Sequence, residues 1–134
     1  MTLRELSSRE NRHTSEHRVL TLRQKQSLFV RLIARLIIEV DRRGYELTFG
    51  ECWRPPETAA LYARQGRGNK RSLHSLRLAF DLNLFRNGVY LRTTAAHQPL
   101  GEWWEQQSTT EVECRWGGRF GDGNHYSLKH GNMK

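Results

Sequence analysis

Apolar positions in the first half of the chain recur with a helical period. Leu22, Phe29, Leu32, Ile33, Leu36, Ile37 and Val40 fall on one stripe, while Arg31, Arg35, Arg42 and Arg43 lie off it. Thr21 followed by Gln24 has the form of a capping box, and Gly44 suits the position just past a helix end. The pattern predicts one strong amphipathic helix between them, placed to cover a sheet. The period then changes to two. Residues 45–49 alternate as a half-buried strand does, and Arg54, Pro55 and Pro56 break it before a short helix over about residues 57–65. Residues 78–85 alternate again, with Leu78, Phe80, Leu82 and Leu84 on one face and Ala79, Asp81 and Asn83 on the other. Asn87 and Gly88 signal a hairpin into a short partner strand at residues 89–91. Pro99 is expected to open a short helix through Trp103 and Trp104, and Gly117 and Gly118 to lead into a last strand around residues 125–128. These pieces predict an α+β fold: a small single domain with helices packed on a short antiparallel sheet.

Residues 1–19 are rich in Arg, Ser, Glu and His and poor in large apolar groups, which predicts a flexible basic arm ahead of a domain over residues 20–134. A loop over residues 66–71 reads as mobile and basic from its Gly, Asn, Lys and Arg content. The chain of 134 residues fits one domain and so one site. Its 22 Lys and Arg against 14 Asp and Glu give a formal charge of +8, which points to a polyanion: nucleic acid, anionic lipid or anionic cell wall. The arginines are dispersed and no helix-turn-helix, zinc-finger or RNA-binding signature occurs, so a basic nucleic-acid-binding module is the weaker reading and no nucleic-acid partner is expected. Cys52 and Cys114 are too few for a disulfide framework and lack structural-zinc spacing, which leaves them as small buried groups. No apolar run approaches the roughly 18 residues that span a bilayer, so no transmembrane segment is expected and contact with an anionic wall or membrane surface would be loose. The polar stretch 4–18 lacks the apolar core of a signal peptide, and a monomer held at first in the cytoplasm is expected.

Candidate chemistry gathers at two places. His74 stands at the entrance of the strand over residues 78–85, and Asp81 follows seven residues later on its polar face. The run Gly121, Asp122, Gly123, Asn124, His125 has glycines that let the backbone fold tightly, bringing Asp122 and His125 toward the same cleft. Two imidazoles and a carboxylate are a common ligand set for catalytic zinc, which keeps a fourth position for water; the same set also serves non-haem iron. A lone histidine is more often a surface or core residue, and His97 and His130 have no such neighbours. Asp122 before glycine could equally be a turn residue, Arg54 a surface charge, and Tyr126 a strand-core residue. Of Trp103 and Trp104, one ring is expected inside.

Ser72, His74 and Asp81 in the arrangement Ser-x-His-x6-Asp resemble the zinc motif of the M15 metallopeptidases, and Asp122 three residues before His125 resembles that family's second motif. The resemblance extends to Gly50 through Arg54, Gly101 through Trp104, and Trp116 through Gly118, so it covers about Thr21 to the C-terminus. It implies Zn2+ held by His74, Asp81 and His125 in a cleft, Asp122 as catalytic base, and Arg54 as a substrate or transition-state contact. The implied activity is that of a zinc peptidase on the peptide of bacterial peptidoglycan, with the L-Ala-D-Glu bond as first choice and D-Ala-D-Ala carboxypeptidase or dipeptidase as the alternative. It implies further a small phage endolysin, held in the host cytoplasm until lysis and then acting in the periplasm on the cell wall. At Arg77 the family usually has glycine, and a cation there would narrow the cleft or add a carboxylate contact.

Overall fold

The computed structural model describes residues 19–68 and 71–133. All but the last residue of the N-terminal arm expected over residues 1–19 lies outside the described residues, as do Asn69 and Lys70 of the basic loop.

Helix α1 spans Leu22–Arg42 and starts where its capping box requires. The Thr21 hydroxyl accepts from Gln24 N at 3.2 Å, and Gln24 Oε1 accepts from Thr21 N at 2.9 Å. Leu28, Phe29, Leu32, Ile33, Leu36 and Val40 of its apolar stripe are buried, whereas Leu22 lies at the exposed end. Each buried side chain of this size contributes about 1.5–3 kcal/mol by leaving water, so the stripe is what fixes the helix to the sheet.

The sheet is antiparallel throughout, in the order β1 (Glu46–Phe49), β2 (Ala79–Arg86), β5 (His125–Leu128), β4 (Cys114–Trp116), with β3 (Val89–Leu91) folded back on β2. The β2–β3 turn carries Asn87 and Gly88 at φ 51 and 76, the left-handed pair a two-residue hairpin needs. Helix α2 (Pro56–Arg64) has a proline in its first turn, where no N–H is missed.

Two expectations change. The second half of the chain contains a helix α3, Thr94–Glu105, that begins well before Pro99, with Thr93 capping Ala96 N at 3.2 Å. Pro99 sits inside it, where the ring removes one interior backbone donor, and packing of the buried Leu100 and Trp104 outweighs that loss. Strand β4 was not anticipated, although Val112, Cys114 and Trp116 are buried in alternation with Glu113 and Arg115.

The core joins the layers through aromatic rings. Phe29 of α1 meets Trp104 of α3 edge-on at 5.9 Å, and Trp104 meets Tyr126 of β5 at 6.1 Å. Trp104 is thus the inner ring of its pair, and Tyr126 faces the core. The Trp116 indole lies between Gly101 of α3 and Gly118, so closely that a Cβ at either glycine would overlap the ring. Its Nε1 donates to Gly123 O at 2.7 Å, which ties the loop before β5 to β4.

Candidate metal centre

Strand pairing assembles the centre. Asp81 of β2 is in register with His125 of β5, on the face of β2 opposite Leu82 and Leu84. His74 arrives from a 3-10 turn, Leu73–Leu76, in which Ser72 Oγ accepts from His74 N at 3.2 Å. The segment after β1 runs alongside: Asp81 N donates to Glu51 O at 2.9 Å, and Arg54 N to His74 O at 3.3 Å. Gly117 lets the loop carrying Asp122 close over β5, because a Cβ there would collide with Asp122 O and His125 Cβ.

Three donor atoms converge. Asp81 Oδ1 lies 3.2 Å from His74 Nε2 and 3.1 Å from His125 Nδ1, and the ligand atoms of the three residues all lie within 4.8 Å of one another. Zinc ligands at 2.0–2.1 Å in a tetrahedron are separated by about 3.3 Å, so the set is already near the spacing the ion requires. The rest of the His74 ring suits that role: its Nδ1 stands 3.3 Å from Cys52 O, and a proton held there would leave Nε2 to offer its lone pair to an ion in place of its hydrogen bond with Asp81. His125 turns its Nδ1 to the cluster, while its Nε2 is buried with no hydrogen-bond partner. Among the described residues this is the cluster of His, Cys, Asp and Glu able to hold a metal ion, and the residues fit zinc.

The electrostatics agree with the geometry. Burial pushes the Asp81 carboxyl up, but hydrogen bonds from His125 and His74 and their charge outweigh it and hold the group at about 2. Burial likewise opposes a charge on His74, yet its hydrogen bond with Asp81, the charges of Asp81 and Glu51 and the Cys52 carbonyl raise its pKa overall. Without an ion, the Asp81 carboxylate favours a proton on His74 instead. Asp122 lies at the open side, half exposed, with Oδ2 3.8 Å from His125 Nδ1. Its pKa is raised, first by partial burial and then by the Asp81 charge, against the pull of His125, His74 and Arg54.

Arg54 is part of this cluster and not a free surface charge. Its Nε donates to Glu51 Oε1 at 2.6 Å, its Nη1 to Ser72 Oγ at 3.3 Å, and its guanidinium lies over the Tyr62 ring. Glu51 was not singled out from sequence, yet it anchors Arg54 and stands 3.8 Å from His74 Nδ1. Its place three residues before Arg54 was the available signal. Phe120 forms a wall, its ring 5.9 Å from His125. The remaining histidines lie elsewhere: His97 is buried 3.1 Å from the Tyr126 hydroxyl, and His130 Nδ1 is 3.3 Å from Lys25 Nζ on α1. Cys114 is buried, which pushes its thiol up to about 12, but Cys52 is exposed and contributes its carbonyl instead.

Residues 65–128 match the family model described as D-alanyl-D-alanine carboxypeptidase within the M15 peptidases. The match takes in His74, Asp81, Asp122 and His125, leaves Arg54 outside it, and supports a peptidase of the M15 family, whose members are zinc enzymes. No curated protein matches the chain.

Proposed function

We propose that this chain is a zinc peptidase of the endolysin kind that hydrolyses the L-Ala-D-Glu bond in the stem peptide of bacterial cell wall. The observation that carries the reading is the convergence of His74 Nε2, Asp81 Oδ1 and His125 Nδ1 with a half-exposed carboxylate, Asp122, beside them. Zinc, when bound, supplies a Lewis acid and a coordinated water of lowered pKa. The protein residues do the rest. Asp122 accepts the proton of the attacking water at a carboxylate oxygen and returns it to the leaving amine. Arg54, immobilised by Glu51 and Ser72, has donors left to hold the scissile carbonyl oxygen as charge develops on it. The +8 charge favours approach to an anionic wall, reached from the host cytoplasm at lysis. No helix among the described residues is long and apolar enough to cross a membrane.

Cleavage between D-Ala residues is the second reading, favoured by the description of the matching family model. Mass spectrometry of muropeptides after digestion by the zinc-loaded protein separates the two. A new N-terminus on D-Glu supports the first, release of D-Ala the second, and intact stem peptides overturn both.

A further inference from the structure

Arg77 closes the 3-10 turn that carries His74, and it does so in the left-handed region, at φ 58 and ψ 35. An arginine gains nothing from that conformation, which glycine adopts without a Cβ clash. Its guanidinium rests 4.6 Å above the indole of Trp53, a half-exposed ring. Trp53 lies between Cys52, whose carbonyl holds His74, and Arg54. The pair therefore joins the two segments that build the metal centre, one carrying His74 and the other Cys52 and Arg54.

The two arginines of these segments are prepared differently. Arg54 has committed Nε and Nη1 to Glu51 and Ser72. Arg77 is held over the Trp53 ring, and among the described residues no carboxylate pairs with it. A cation–ring contact uses none of the guanidinium N–H groups in hydrogen bonds, which leaves the fork that meets a carboxylate with two parallel bonds. A strained backbone, a cation held over a ring and an unused fork beside a reactive centre together point to ligand recognition rather than packing.

We infer that Arg77, held by Trp53, is a specificity residue that recognises a substrate carboxylate close to the bond being cut. The inference rests on the peptidase reading above. In a wall stem peptide the corresponding group is the free carboxylate of D-Glu, which an otherwise identical peptide can carry as a neutral carboxamide.

The test compares zinc-loaded wild type, Arg77→Gly and Arg77→Lys on these two peptides. Wild type should cleave the carboxylate form about 10-fold better in kcat/KM, the scale of one charge-assisted contact at an exposed site. Arg77→Gly should lose that preference through a higher KM for the carboxylate peptide, while its Tm holds or rises because glycine relieves the left-handed strain. Arg77→Lys, which keeps the charge but not the fork, should retain part of the preference. An unchanged preference in Arg77→Gly overturns the inference while leaving the peptidase reading intact. Failure of wild type to cleave either peptide removes that reading and this inference with it.

Discussion

Asp81 and His125 face each other across β2 and β5 in a non-hydrogen-bonded pair, with Leu82 N donating to Asn124 O at 3.0 Å just beyond them. Side chains are closest at such positions, which is why Oδ1 and Nδ1 approach to 3.1 Å without distortion of either strand. The ladder thus sets two of the three donors, and the third needs only the turn that carries His74.

Replacing His74, Asp81 or His125 by Ala is expected to abolish zinc retention. Three protein ligands leave no spare donor in a site that keeps one position open. Metal analysis after gel filtration should fall from about one zinc per chain to near zero. Full occupancy in the His125→Ala protein would move that role to another residue. Chelation of the wild-type metal should also lower its Tm, because the ion binds only the folded chain.

Asp122→Asn should keep zinc and lose turnover by roughly 10²–10⁴-fold, the contribution of a positioned acid or base. Asparagine preserves size and turn preference, so a residue needed only for the turn would leave kcat near normal. Loss of zinc would instead make Asp122 a ligand.

The Trp116 indole between Gly101 and Gly118 predicts that Gly101→Ala destabilises the fold by about 1–3 kcal/mol through overpacking. The ring cannot move aside while Nε1 holds Gly123 O. Urea unfolding measures the effect, and a midpoint equal to that of wild type would show that α3 can shift away from β4.

His97 gives stability a pH dependence. Burial lowers its pKa below 6.5 in the fold, against the upward pull of a hydrogen bond to the Leu91 backbone. Below about pH 6.5 the unfolded chain takes up this proton and the folded chain resists, so the unfolded state binds more protons and stability falls with pH. The contribution is complete above the unfolded value and is lost as pH falls through the folded one. Thermal midpoints between about pH 7.5 and 5 should decline less steeply in His97→Gln than in wild type. Parallel curves for the two proteins would exclude His97 as the source.

The sequence by itself determined what depends on neighbours along the chain. The Thr21 and Gln24 box, the apolar stripe of α1, the alternation of β2 and the Asn87–Gly88 turn are local, and each stands in the structure where its residues place it. Alternation also sent Asp81 to the face away from Leu82 and Leu84 before any partner strand was known. Tertiary structure decided the rest, because it depends on which distant segments meet. Strand β4 is too short to signal itself without β5, and α3 runs through Pro99 because Leu100 and Trp104 have a core to enter. Whether Arg54 was a surface charge could not be read without Glu51, Ser72 and Tyr62 brought around it. The left-handed turn at Arg77 does not come from the arginine, which carries no local preference for it; the path from His74 to β2 imposes it.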